Sequence, residues 1–166
     1  MTKFLLAVHV LAAILAVGPV AVAASMFPAA ARRIPDRGTT HRGTAEQDAQ
    51  TGGVAALRVL HRICRVYAVA GLAVPVFGFA TASSLGVLRD AWVIASILLT
   101  AAAAAILALA VLPRQDAVLA GLAAGDSTPA DGGGVARLAM LTGVFNLLWA
   151  AVTVLMIVRP GSTTGV

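Results

Sequence analysis

Charged residues are scarce in this sequence of 166 residues: 11% are Asp, Glu, Lys or Arg, whereas 60% are hydrophobic. A water-soluble domain needs roughly 25% charged residues to cover its surface, so the composition excludes an ordinary soluble domain. The single cysteine, Cys64, excludes an internal disulfide. With so little charge and so much apolar sequence, the chain is expected in a membrane.

Familiar catalytic motifs are also missing. The sequence has no CxxC pair, no HExxH helix and no glycine-rich phosphate loop. Its long apolar segments contain no Asp or Glu, the carboxylates on which coupled transporters commonly depend. The net charge is +5, but the basic residues are not interleaved with aromatic ones, which argues against a nucleic-acid partner. No catalytic residue is therefore predicted, and whether the chain is an enzyme stays open.

Four apolar segments dominate what is present. They cover residues 4–24, 66–84, 91–112 and 138–158. A helix needs about 20 apolar residues to cross about 30 Å of hydrocarbon, and backbone groups in lipid must be satisfied within the helix itself. The sequence therefore predicts an all-α polytopic membrane protein, a single domain of residues 1–166 built as a four-transmembrane-helix bundle. The first segment resembles a cleavable signal peptide, but the arginines that follow it favour a retained helix.

The basic residues predict the orientation. If residues 29–65 and 113–137 are cytoplasmic, nine basic residues lie inside and three, Lys3, Arg89 and Arg159, lie outside. Lys and Arg collect in cytoplasmic connections, so both termini are expected outside the cytoplasm. The high arginine, alanine and glycine content suggests a GC-rich genome, and a bacterial cell membrane is the predicted location.

The first cytoplasmic connection has two predicted parts. Residues 34–53 are rich in Gly, Thr, Asp and Gln, which predicts a flexible stretch. Residues 54–65 predict a short amphipathic lead-in along the cytoplasmic interface, with arginines on one face and apolar residues on the other. The polar face is assigned Arg58, His61, Arg62 and Arg65, and the apolar face Leu57, Leu60 and Cys64. Arg58, Arg62 and Arg65 are expected to bind anionic lipid headgroups.

Proline and small residues predict where helices bend or meet. Pro19 and Pro75 each remove a backbone donor from their helices. Gly71 and Gly78 share one side of the second span, and Ala139 with Gly143 forms a small-residue pair in the fourth. Close helix contacts are expected at these positions.

Polar residues within the spans mark candidate sites, because they are costly in lipid. His9 lies at the same counted depth as Ser96 and Thr153, which predicts a polar cluster in the outer third of the bundle. Asn146 lies near mid-membrane and must find a partner. These four residues either fasten helices together or bind a ligand. The alternative of a haem or copper site would pair His9 with Met156, although no metal site is the leading expectation.

Three motifs carry a family resemblance: Phe-Leu-Leu-Ala-Val-His-Val-Leu opening residues 4–19, Leu-His-Arg-Ile-Cys-Arg-Val-Tyr at 60–67, and Leu-Thr-Gly-Val-Phe-Asn-Leu-Leu-Trp at 141–149. They resemble the predicted bacterial membrane proteins of domain-of-unknown-function family 2269. The first helix is also similar to copper-resistance membrane proteins and to the haem-binding protoporphyrinogen oxidase membrane family. The resemblance to family 2269 implies a membrane protein of unknown activity. The lack of catalytic residues, the small size and the flat helix faces predict an accessory or scaffold subunit, either as a homo-oligomer or within a larger complex. The resemblance to the copper-resistance and protoporphyrinogen oxidase membrane families implies copper or haem b at His9.

Overall fold

The computed structural model describes residues 2–34, 44–124 and 132–161, and the chain is helical over nearly all of them. The helices are α1 Thr2–Arg32, α2 Thr44–Ala70, α3 Ala73–Leu85, α4 Ala91–Ile106, α5 Leu112–Ala124 and α6 Gly132–Val158, with a π-helical segment, Leu107–Val111, joining α4 to α5. Because α3 continues α2 and α5 continues α4, the helices form four rods. The first and fourth rods are α1 and α6.

Each rod is a candidate membrane span. Within the described residues, four stretches are long and apolar enough to cross a bilayer: Thr2–Arg32, Gln47–Leu85, Ala91–Ala124 and Gly133–Val158. Large apolar side chains cover the outside of the rods, with Phe4 70%, Leu109 78% and Leu147 71% exposed. Such a surface is tolerated in lipid and not in water. The chain is an all-α integral membrane protein with four candidate transmembrane helices.

The rods are longer than the predicted spans: residues 113–124 belong to α5, and the glycines at 132–134 begin α6. The predicted flexible stretch of residues 34–53 was wrong for residues 44–53, which belong to α2; residues 35–43 and 125–131 lie outside the described part. At 1.5 Å per residue the 39-residue stretch Gln47–Leu85 of the second rod is about 58 Å long, so this rod extends well beyond one hydrocarbon thickness.

The rods pack in the spatial order second, first, fourth, third. α1 packs against α2 and α3 on one side and against α6 on the other, and α4 packs against α6. The second and third rods meet chiefly where α2 contacts α5, with a few contacts between α3 and α4. We call the end with connection 86–90 the hairpin end, and the opposite end, where α1 and α5 end and α2 and α6 begin, the long-connection end.

Small residues set the antiparallel register of the first two rods. His9 of α1 lies against Gly78, and a Cβ added at Gly71 would lie 3.9 Å from the Cβ of Ala16. His9 and Ala16 are seven residues apart in the first rod, and Gly71 and Gly78 are seven apart in the second. The same two faces therefore meet again after two turns. The predicted contact side of Gly71 and Gly78 is confirmed. Toward the long-connection end, larger side chains complete the buried core, including Phe27, Leu57, Cys64, Val111 and Leu138.

One residue of the predicted pair in the fourth rod is open. Gly143 is exposed, and no described residue lies within 4 Å of a Cβ added there. The expected close approach was therefore wrong at Gly143 for the described part of the chain, whereas Ala139 is half-buried. α6 instead packs through the residues on its opposite side, among them Leu138 and Phe145.

The second rod is interrupted one turn before Pro75. Proline has no N–H to donate to the carbonyl four residues earlier, which is that of Gly71. That carbonyl accepts from the N–H of Val74 instead, at 3.0 Å, and the N–H of Leu72 turns to the carbonyl of Val69 at 3.1 Å. The predicted effect of Pro75 is confirmed as a break at Gly71 and Leu72. α1, in contrast, continues without interruption through Pro19.

The hairpin end is closed by a short connection with its own contacts. α3 ends at Gly86, whose φ of 72° is the left-handed conformation that glycine adopts readily. Trp92 Nε1 donates to Asp90 Oδ2 at 3.1 Å, and the Arg159 guanidinium lies 5.7 Å from the centre of the Trp92 ring. This cation–π contact joins the start of α4 to the end of α6, so Trp92 links two rods.

Candidate functional site

His9 is buried between the first two rods, with 7% of its surface exposed. Its Nδ1 lies 2.9 Å from the carbonyl oxygen of Val74 in α3. A carbonyl oxygen only accepts hydrogen bonds, so Nδ1 carries the hydrogen, and a neutral ring has its lone pair on Nε2. A Cβ added at Gly78 would lie 2.8 Å from the ring Cε1. The expected bond from His9 to another helix is present, and the absence of a side chain at position 78 leaves room for the ring.

The other members of the predicted cluster bond to their own helices. The Ser96 hydroxyl donates to the Trp92 carbonyl at 2.8 Å, and that of Thr153 to the Trp149 carbonyl at 2.9 Å. Ser96 is buried, whereas Thr153 is exposed. In the described part of the chain no hydrogen bond joins His9 to Ser96, Thr153 or the half-buried Met156, so the predicted polar cluster is not linked by hydrogen bonds there.

Asn146 joins the first and fourth rods. Its Nδ2 donates to the Ser25 hydroxyl at 3.0 Å, and that hydroxyl donates to the Ala21 carbonyl at 2.6 Å. The Oδ1 of Asn146 is buried and has no hydrogen-bond partner among the described residues. Asn146 therefore has the interhelical hydrogen bond that its position in a span requires, while its Oδ1 accepts none from the described residues.

A further polar cluster connects α2 and α5. His61 Nδ1 lies 3.0 Å from Gln115 Oε1, and Gln115 Nε2 donates to Cys64 Sγ at 3.7 Å. His61 Nε2 is also 2.9 Å from Asp116 Oδ1, but the geometry is not that of an aligned hydrogen bond. Gln115 and Cys64 are fully buried and His61 is 7% exposed. The cluster fastens the second rod to the third near the long-connection end.

This cluster corrects the predicted lead-in. His61 was assigned to the arginine face but lies on the buried face, together with Leu57 and Cys64. Arg58, Arg62 and Arg65 are exposed, as a polar face requires. The segment is part of the continuous α2, so it is not a separate short helix. Sequence reasoning missed Gln115, although an uncharged amide one turn after the apolar run of α4 was a usable signal.

A cavity of about 80 Å³ lies in the middle of the bundle. All four rods line it, with Ala16 and Val20 from the first, Gly71 and Pro75 from the second, Ala104 from the third and Trp149 from the fourth. Pro75 and Ala104 are exposed, so the cavity opens to the outside between the second and third rods. Trp149 packs edge-to-face on Phe145, and its indole N–H is buried without an acceptor among the described residues.

Two observations limit what can be assigned. The described residues contain no group of three or more His, Cys, Asp or Glu side chains placed to hold a metal ion. No family model, no curated protein and no solved structure matches this chain. Function is therefore argued from the contacts above.

Proposed function

We propose that this protein is a non-enzymatic accessory or scaffold subunit of a bacterial membrane complex, with both termini outside the cytoplasm. One observation supports the proposal: polar side chains of the bundle are used to join helices. His9 bonds to the carbonyl of Val74 and Asn146 to Ser25, while His61 bonds to Gln115. Interhelical hydrogen bonds of this kind stabilise and orient membrane helices. Membership of domain-of-unknown-function family 2269 is part of the proposal and rests on the motifs at residues 4–19, 60–67 and 141–149.

Cross-linking in native membranes tests the accessory role. A photo-activated cross-linking residue is placed at one exposed position on each rod: Leu11, Val69, Leu109 and Leu147, which are 57 to 78% exposed. An accessory subunit should give a discrete product at one or two of these positions. A product of twice the chain mass indicates a homo-oligomer, and a larger heterogeneous mass a different partner. Chains that cross-link only to lipid at all four positions would contradict the proposal.

A second candidate function follows from the tautomer of His9. A ring whose Nδ1–H is held by a backbone carbonyl presents Nε2 as a possible metal ligand. Haem b or copper handling at His9 is therefore the alternative. The absorption spectrum and metal content of the purified protein decide between the two proposals. A Soret band or bound copper that disappears in His9→Gln favours the alternative, whereas a colourless and metal-free protein favours the accessory role.

A further inference from the structure

His61 lies at the contact that closes the bundle between the second and third rods. These two rods meet chiefly where α2 contacts α5, with only a few further contacts between α3 and α4. His61 of α2 is 7% exposed and lies against Gln115 and Asp116, which are consecutive residues of α5. The state of this one imidazole ring therefore affects the main contact between the two rods.

The hydrogen bonds of the cluster determine which ring nitrogen of His61 carries a hydrogen. Gln115 Nε2 donates to Cys64 Sγ, so the other end of the amide, Oε1, faces His61 Nδ1 at 3.0 Å. An amide oxygen only accepts, so Nδ1 donates, and a neutral ring then has its lone pair on Nε2. That nitrogen is buried, has no hydrogen-bond partner among the described residues, and lies 2.9 Å from Asp116 Oδ1. In a neutral ring, a lone pair therefore faces a carboxylate, and the two repel.

A second hydrogen on the ring removes this conflict. Both nitrogens of the imidazolium ion are donors, so Nδ1 keeps its bond to Gln115 while the positive ring attracts the Asp116 carboxylate. The side chain of Asp116 is 59% exposed, so the carboxylate connects the buried ring to water and gives the proton a route. Histidine is the side chain that ordinarily gains or loses its charge between about pH 5 and 8.

The π-helical segment determines which side of α5 meets His61. A π turn closes its hydrogen bonds over one residue more than an α turn, so Leu107–Val111 rotates the residues that follow it about the helix axis. After this rotation Gln115 is fully buried and Asp116 lies against the imidazole ring. Such turns occur frequently at functional sites, and this one gives α5 a polar contact with α2.

Asp116 is the charged group that lies against the ring, and the described residues contain no second ion pair of His61. On α5, the Arg114 guanidinium is turned back to the Ala110 carbonyl at 2.9 Å. α1, the other helix packed on α2, contributes apolar residues such as Phe27 to the core around Cys64. The remaining charged side chains described at this end of α1 and on α2 are exposed: Arg32, Arg33, Asp48, Arg58, Arg62 and Arg65.

We propose that His61 and Asp116 form a proton-binding site, which holds the second and third rods together while the imidazole is protonated and loosens their contact when it is neutral. At high pH the Nε2 lone pair and the carboxylate repel, so the bundle is able to open between these rods, where only the few contacts of α3 with α4 remain. The site goes beyond the accessory role, because a scaffold needs its helices joined but does not need them joined reversibly.

Ring ¹⁵N signals of histidine-labelled protein in lipid nanodiscs show where the hydrogens are. The chain has three histidines, and the variant His61→Gln identifies the signals of His61. We expect both ring nitrogens to carry a hydrogen at about pH 5 and Nδ1 alone at about pH 8. A hydrogen on Nε2 alone at the higher pH would show that a neutral ring donates to Asp116, and would overturn the proposal. Signals that do not change between these two pH values would overturn it as well.

Asp116→Asn tests whether the proton holds the rods together. An Asn amide lacks the charge that attracts the imidazolium ion, but it donates to the lone pair of a neutral ring. At about pH 5 the unfolding equilibrium constant of the variant in mixed micelles should exceed that of the parent by about two- to fivefold, as for a partly exposed pair. At about pH 8 it should equal or fall below the parent value.

Two further variants complete this test. Asp48→Asn removes an exposed carboxylate elsewhere on α2, so its effect on unfolding should be the same at both pH values. In the His61→Gln background, the effect of Asp116→Asn should also lose its dependence on pH. An effect of Asp116→Asn that is equal at the two pH values in the parent, or that depends on pH as strongly without His61, would overturn the proposal. The purified protein is used throughout, so the result does not depend on the proposed orientation or on a partner.

Discussion

His9 and Gly78 approach each other so closely that a Cβ at position 78 would lie 2.8 Å from the imidazole Cε1 and 3.1 Å from Nδ1. The same ring bonds to the carbonyl of Val74 at 2.9 Å, one turn earlier in α3. The imidazole thus fills the space left by a glycine and bonds to the backbone of that helix. Packing and hydrogen bonding at this site depend on each other.

Gly78→Ala should therefore destabilise the bundle. The added methyl group must displace the ring from its bond to Val74, and overpacking of this kind costs about 1–3 kcal/mol. Unfolding in mixed micelles measures the change. Gly143→Ala is the matched control, because position 143 is exposed and open. In the His9→Ala background most of the penalty should vanish, and an undiminished penalty there would show that the ring is not the obstacle.

His9→Leu separates a structural from a ligand role for the imidazole. If His9 only joins α1 to α3, its loss should cost about 1 kcal/mol, as interhelical hydrogen bonds in membranes commonly do. The free energy of unfolding in mixed micelles is the measurement, with Thr153→Val, which removes an exposed bond within one helix, as the control. Should stability remain unchanged while a bound chromophore or metal is lost, the ligand role would be correct.

The His61–Gln115 pair should show energetic coupling between the second and third rods. His61→Ala removes the partner of the buried side-chain oxygen Oε1 of Gln115, and Gln115→Ala removes the partner of the imidazole Nδ1. Each single change should lower the free energy of unfolding by about 1–3 kcal/mol. The double variant should cost less than the sum by about 0.5–3 kcal/mol, as expected for residues in contact. Additive losses in this double-mutant cycle would show that the two side chains do not stabilise each other.

Hydropathy predicted the four spans but not the length of the rods. A run of apolar residues indicates the part of a helix that contacts lipid. Residues 44–65 and 113–124 lie outside the apolar runs, and the helices that contain them, α2 and α5, pack on each other, while α2 also packs on α1. Gly52 and Gly53 lie inside α2 although glycine disfavours helices. Tertiary packing outweighs that local preference, and composition alone carries no signal of it.

In the candidate site, the sequence likewise does not predict in which direction an individual side chain leaves its helix. Counting residues from the ends of the spans gave His9, Ser96 and Thr153 one depth, but depth says nothing about the direction in which each side chain leaves its helix. His61 lies at the border between two faces, since it is three residues from both Arg58 and Cys64. Only the position of Gln115 on α5 decides that His61 is buried.

The proposed orientation predicts which end of the bundle reacts with reagents outside the cell. In a Cys64→Ala background, a cysteine at Ser84, exposed at the hairpin end, should react with a membrane-impermeant maleimide in intact cells. A cysteine at Thr44, exposed at the long-connection end, should react only after the membrane is permeabilised. The reverse pattern would place the nine basic residues outside and contradict the proposed topology.

The exposed arginines of α2 should bind anionic headgroups. Arg58, Arg62 and Arg65 are spaced along one exposed face, and each basic residue near an anionic surface contributes about 1 kcal/mol. Changing all three to Gln should increase amide hydrogen exchange in residues 47–65 in nanodiscs containing phosphatidylglycerol, and have little effect in zwitterionic nanodiscs. The matched control changes Lys3, Arg89 and Arg159 to Gln, which removes the same charge at the hairpin end. Equal exchange in the two variants would show that α2 is held by its packing on α1 and α5 alone, without the headgroups.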